Sequence, residues 1–147
     1  MSQTTWMHKR KAITSLDKLP NYHELEGFVY KITNLTTGQI YIGKKSLYHT
    51  KKKRISARSK AETKTRKTFE YIKKESDWLK YYGSSKELSA DVKLLGVEQF
   101  SREILELCKT KKYLTYAEFA WQVKLDVLRT NSYNGNILGK WYGRDME

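Results

Sequence analysis

At 147 residues, with 39% hydrophobic and 13% aromatic side chains, the chain suits one domain with a single core, and it is too apolar for wholesale disorder despite a mean hydropathy of −0.75. Twenty-nine Lys+Arg against sixteen Asp+Glu leave a formal charge of +13, a field that gathers polyanions, nucleic acid first among them. No apolar run approaches the roughly eighteen residues of a bilayer span and no secretory signal pattern is present, so no membrane partner and an intracellular, cytoplasmic location are expected.

Residues 1–26 mix charges with few periodic apolar positions and hold the only proline, Pro20; they read as an N-terminal extension leading into the fold. From Gly27 the text changes. Phe28-Val29-Tyr30-Lys31-Ile32-Thr33 and Gln39-Ile40-Tyr41-Ile42-Gly43 are β-rich runs on either side of Asn34-Leu35-Thr36-Thr37-Gly38, a strong hairpin signal. Lys44 to Lys67 then carries eleven Lys/Arg and one acid, Glu62, with no apolar stripe. It reads as a long loop or basic arm, part of it helical, that orders on phosphate. Phe69, Ile72, Leu79 and Tyr82 recur at helical spacing. Ser84-x-x-Glu87 is a capping box opening a helix with Leu88, Val92 and Leu95 on one face, stopped by Gly96.

Phe100 to Cys108 suits a third strand beside the hairpin, with Cys108 a buried structural thiol. Thr115-x-x-Glu118 is a further capping box, followed by Trp121, Leu125 and Leu128 on the face of Leu114. Asn131-Ser132-Tyr133-Asn134-Gly135-Asn136 ends that helix in turn chemistry. The order predicts an α+β fold, a small, mainly antiparallel three-stranded sheet flanked by helices, with a long basic insertion after the second strand. Its domain would span 27–137, with 138–147 a short tail.

Zinc-type Cys/His spacing, a phosphate-binding glycine loop and a dinucleotide fingerprint are all absent, and His8, His23 and His49 lie outside the predicted elements. What draws attention is a carboxylate and a tyrosine pair. Glu118 falls between Leu114, Trp121 and Leu125 on the core-facing side of its helix. Either it reaches back to the Thr115 backbone as the second half of a capping box, or it is a hard oxygen ligand for Mg²⁺. Tyr30 and Tyr41 lie across the hairpin turn. One strand register puts both on one face, and a shift by one residue separates them.

Tyr41-Ile42-Gly43, with Phe28-Val29-Tyr30 upstream in place of a Gly-led triplet, resembles the paired motifs of the GIY-YIG endonucleases. Tyr82-Gly83-Ser84-Ser85, Gly96 and Phe100 look like that family's second helix and following strand. Glu118 falls where its metal-binding glutamate is expected, and Tyr133-Asn134 resembles its closing Asn motif. The likeness covers about three quarters of the chain, and the YIGKK reading at Tyr41 to Lys45 is similar to a phage-type variant.

The resemblance implies phosphodiester hydrolysis of DNA with Mg²⁺ (or Mn²⁺). Glu118 would hold the metal, Tyr30 would deprotonate the attacking water with Lys44 as the cation that lowers its pKa, Tyr41 would orient water or phosphate, and Asn134 would brace the site. Gly43 would serve as a structural turn. The family's helix arginine maps by simple offset onto Lys51, so Arg54 and Arg58 are the preferred candidates, with Arg66 behind them. Lys45, Lys51, Lys52, Lys53, Lys60 and Arg66 would contact phosphate. A homing-type, restriction or degradative enzyme all suit a chain with no separate recognition module, as monomer or homodimer. The alternatives are a non-catalytic nucleic-acid-binding protein and an RNA-packing protein.

Overall fold

The computed structural model describes residues 5–146; residues 1–4 of the expected extension and residue 147 of the expected tail lie outside the described residues. β1 (Trp6–His8) and β2 (Lys11–Ile13) form a tight antiparallel hairpin. Its central residues Lys9 and Arg10 both take positive φ, 48° and 68°, as primed two-residue turns require. Without the usual Asn or Gly, that turn carries no sequence signal.

Two 3-10 turns lead to β3 (Gly27–Asn34), which hairpins into β4 (Ile40–Ser46). Gly38, at φ 77°, donates its N–H to the Asn34 carbonyl at 2.7 Å and closes the loop in a conformation that favours glycine. The basic segment that follows is not a loop. β5 (Tyr48–Arg54) and β6 (Phe69–Glu75) pair antiparallel over seven residues as a separate ribbon, with α1 (Ala57–Thr63) in its connection. The helical spacing read through Phe69, Ile72, Leu79 and Tyr82 is therefore corrected. Phe69 and Ile72 are in a strand, on opposite faces, while Leu79 lies in a 3-10 turn and Tyr82 follows it.

α2 (Lys86–Leu95) is capped by Ser85, one residue later than expected, and is stopped by Gly96. β7 (Phe100–Cys108) pairs antiparallel with β3 and parallel with β1, giving the order β2-β1-β7-β3-β4. The sheet has five strands rather than the expected three. α3 (Lys111–Lys124) starts at Thr110, whose side chain accepts from the Tyr113 N–H, so Thr115 lies inside the helix rather than at its start. β8 (Asn136–Ile137) and β9 (Trp141–Tyr142) form a short closing hairpin.

Two apolar layers flank the interior strand β3, whose residues alternate between them. Phe28, Tyr30 and Ile32 join Trp6, Trp78, Leu88 and Phe100 in an aromatic-rich core. Val29 joins Ile42, Cys108, Leu114 and Ala117 beneath α3. Cys108 is buried and its thiol is pushed up to about 12, mainly by burial, as fits a structural residue. No helix of the described residues is long and apolar enough to cross a membrane.

Candidate active site

The β3–β4 ladder pairs Tyr30 with Gly43 and Ile32 with Tyr41, so the tyrosines are diagonal neighbours on one face, with ring centroids 6.1 Å apart. The register that the sequence leaves open is thus the convergent one. A bulge between Val29 and Tyr30, where β3 meets β7, falls at the first of them. Gly43 is inside β4 rather than in a turn, and its role is space: a Cβ there would lie 2.5 Å from the Tyr30 hydroxyl and 3.1 Å from the Tyr41 ring.

The two phenols differ in access. Tyr30 is 1% exposed, wedged against Trp6, Phe28 and Tyr81, and burial holds its pKa well above the ordinary value, with Tyr81, Tyr41 and Glu118 adding to the shift. Tyr41 is half-buried, hydrogen-bonds Ser84 Oγ at 2.9 Å, and has a pKa raised chiefly by burial. It lines an open polar cleft of about 310 Å³ together with Ser85, Glu118, Gln122, Tyr133 and Asn134.

That cleft runs along β4, an edge strand of the five-stranded sheet, and side chains satisfy the edge. Asn134 accepts from the Ile42 N–H at 3.0 Å and donates to the Ile42 carbonyl at 2.8 Å. Gln122 donates to the same carbonyl at 3.1 Å. Glu118 accepts a hydrogen bond from the Lys44 backbone N–H. Tyr133 steadies the turn that carries Asn134: its hydroxyl donates to Asp91 at 2.6 Å and accepts from the fully buried Asn34 at 3.0 Å. Burial first, then Asp91, pushes that phenol up to about 12.

Glu118 lies in the second turn of α3, too far along to cap it, which removes the capping-box reading. Burial raises its carboxyl pKa, against the pull of the Lys44 ammonium and N–H. A carboxylate has about four lone-pair sites, so one accepted N–H leaves capacity for a cation in the cleft. Among the described residues no group of three or more His, Cys, Asp and Glu could hold a metal, so a cation here would take one protein carboxylate, waters and substrate phosphate. Mg²⁺ commonly binds in that way, and the donor set fits it.

Lys44 does not serve Tyr30. Alternation along β4 turns its side chain to the opposite face, where Nζ donates to Thr115 Oγ1 at 2.8 Å. Its neighbour Lys45 occupies the tyrosine side, 4.2 Å over the Tyr81 ring and 2.7 Å from Asp77. Arg54, Arg58 and Arg66 are exposed on or between the ribbon strands, as are Lys51, Lys52 and Lys53, while Lys60 is half-buried in α1. Arg58 pairs with Glu62 at 3.1 Å, and none of the three arginines hydrogen-bonds or ion-pairs with the cleft residues. The structure therefore brings together Tyr30, Tyr41, Glu118 and Asn134, with Lys44 behind Glu118, and holds the arginines apart on the ribbon.

Gln122 belongs to this neighbourhood but escapes the sequence reading, which has Ser84 only in a capping box and the family's second-helix motif and Lys45 only as a phosphate contact. Gln122 had a usable signal, since it follows Glu118 by four residues on the same helix face.

Two tyrosines on one face of an edge strand and its neighbour, with a helix-borne glutamate and an amide that braces the edge strand, form the arrangement expected of GIY-YIG endonucleases. Residues 6–145 match the family described as "Putative endonuclease segE, GIY-YIG domain", and the chain belongs to that family of nucleases. No curated protein and no solved structure matches the chain.

Proposed function

We propose that the protein is a metal-dependent DNA endonuclease that hydrolyses phosphodiester bonds in the cleft beside β4. The observation that carries this reading is the convergence of Tyr41, Glu118 and Asn134 on one open polar cleft, with the Tyr30 ring 6.1 Å from that of Tyr41. Glu118 would hold Mg²⁺ or Mn²⁺. When bound, the cation supplies Lewis-acid stabilisation of the charge that grows on the scissile phosphate.

The chain's own residues do the rest by position and hydrogen bonding. Tyr41 faces the cleft and orients the attacking water or a phosphate oxygen, its own hydroxyl held by Ser84. Tyr30 has the harder task as proton acceptor, because its phenol is held protonated by burial. In the free protein it is suited to donate a hydrogen bond, and it supports the base role only once charge in the complex lowers its pKa. Asn134 and Gln122 fix the Ile42 peptide, and so the path of the strand that bears Tyr41 and Gly43. Cations of the ribbon, Lys51, Lys52, Lys53, Arg54, Arg58, Lys60 and Arg66, together with Lys45, bind phosphates, and an arginine brought in with the DNA stabilises the transition state.

Purified wild type and Glu118→Gln protein incubated with supercoiled plasmid, with and without Mg²⁺ or Mn²⁺, test the reading. Metal-dependent nicked or linear product from wild type, reduced more than about 100-fold in Glu118→Gln, supports it. Equal cutting by both proteins overturns the role of Glu118, and gel shifts without cutting favour a binding module instead.

A further inference from the structure

The β5–β6 ribbon has two unlike faces. Cross-strand partners share a face, so Tyr48, Thr50, Lys52 and Arg54 lie with Phe69, Tyr71, Lys73 and Glu75, while His49, Lys51 and Lys53 lie with Glu70, Ile72 and Lys74. On the first face Phe69 is 42% and Tyr71 70% exposed, and no strand of the five-stranded sheet ladders with the ribbon. Exposed aromatics on a two-stranded ribbon do little for folding. Cations sit directly among them: Lys52 lies 4.0 Å over the Phe69 ring, and Arg54 is the cross-strand partner of Phe69.

The ribbon is also firmly mounted. At its base Leu47 is fully buried and donates to the Glu26 carbonyl, Ser76 donates to the Leu47 and Ser46 carbonyls, and Tyr48 donates to the Tyr22 carbonyl. Tyr48 to Glu75 carries eleven Lys/Arg against three Glu, a charge complementary to phosphate along the whole projection.

From these observations we infer that the ribbon enters the major groove of duplex DNA with its Lys52, Phe69 and Tyr71 face towards the base edges, which makes it the groove-reading element of the protein. The inference rests on the DNA reading above and adds the groove and the contact face. Dimensions suit it. Seven paired residues rise about 20 Å and two strands lie about 4.8 Å apart, whereas the major groove is about 12 Å wide and admits a two-stranded ribbon. The minor groove, about 6 Å wide, does not. Aromatic edges meet thymine methyl groups in the groove, and Lys52 and Arg54 reach guanine acceptors or the flanking phosphates.

Fluorescence anisotropy of the full chain on a mixed-sequence duplex in EDTA separates this inference from catalysis. Methyl green, which fills the major groove, should displace wild type, whereas distamycin in the minor groove should not. Phe69→Ala/Tyr71→Ala should weaken binding about tenfold with the salt slope unchanged, since it removes no phosphate contact, while Lys52→Ala should lower that slope by about 0.9. His49→Ala, on the opposite face, should change affinity less than about twofold. Displacement by distamycin alone, unchanged affinity in the aromatic variant, or tighter binding of single strands or folded RNA than of duplex DNA each overturns the inference. The mutations touch exposed side chains, and the competition arm needs no variant. If wild type cuts plasmid but methyl green fails to displace it, the groove assignment falls and the nuclease stands; displacement without cutting has the reverse meaning.

Discussion

Glu118 is a carboxylate that folding has partly withdrawn from water, and its raised pKa turns that into a dependence of stability on pH. The folded state holds the proton more tightly than the unfolded chain does. The contribution to stability is therefore fully present below the ordinary carboxylate pKa and is lost as pH rises through the folded value. Glutamine at this position can still accept from the Lys44 N–H and has no charge to desolvate. Measured against wild type in urea melts, Glu118→Gln should gain stability as pH rises above the ordinary carboxylate pKa, while losing cleavage. A stability gap that does not move with pH would show that the carboxylate is not opposed by its surroundings. At this scale the text singles out two tyrosines, Glu118 and Asn134, and the fold places Tyr41, Glu118 and Asn134 on one cleft, with Tyr30 next to Tyr41. Lys44 was misplaced because strand alternation, rather than nearness in sequence, assigns side chains to faces, and it gives the tyrosine side to Lys45.

The elements were harder to read wherever a local signal had a competitor. Thr115-x-x-Glu118 is a valid capping box in text, but Thr110 lies five residues earlier and caps the helix, which buries the second signal in its interior. Phe69 to Glu75 has helical spacing if only its apolar residues are counted, but its pairing with β5 makes it a strand, a non-local contact that no window along the chain contains. Asn134 shows the converse, a local turn residue whose work is long-range. Its amide offers an acceptor to the Ile42 N–H and a donor to the Ile42 carbonyl, and so stands in for a missing strand at the edge of β4. Asn134→Ala should cost about 1–2 kcal/mol through two lost hydrogen bonds. Asn134→Asp should cost more at neutral pH, because a carboxylate then faces the Ile42 carbonyl oxygen, and it should regain stability as acid protonates it. Urea melts of the two variants at neutral and acid pH check this, and an Asp variant at least as stable as Ala at neutral pH would show that the donor half of the amide is not needed.

For the whole molecule, the first described strand is part of the same core as the site. Trp6 is fully buried, packs edge-on against Phe28 and Tyr30 at centroid distances of 5.1 and 5.6 Å, and donates its indole N–H to the Trp78 carbonyl at 2.8 Å. It also faces Arg102, whose guanidinium lies 4.6 Å from the Trp6 ring and donates to the Leu79 and Tyr81 carbonyls. One tryptophan thus ties β1, the wall behind Tyr30 and the segment carrying Tyr81 into a single unit. Its place could not be read from the sequence, because β1 has only three residues and joins the sheet through β7, almost a hundred positions away. Trp6→Ala should cost about 3–5 kcal/mol, a large share of the 5–15 kcal/mol typical of a whole domain. Because Tyr30 rests on the vacated space, the damage should reach the cleft as well. In urea titrations the variant's midpoint should fall sharply, and where it is still folded, DNA cleavage should fall further than DNA affinity, since the hydrogen bonds that mount the ribbon run to the Glu26, Tyr22, Ser46 and Leu47 carbonyls and none involves Trp6. A Trp6→Ala protein with unchanged midpoint and unchanged cutting would detach the first hairpin from both the core and the site.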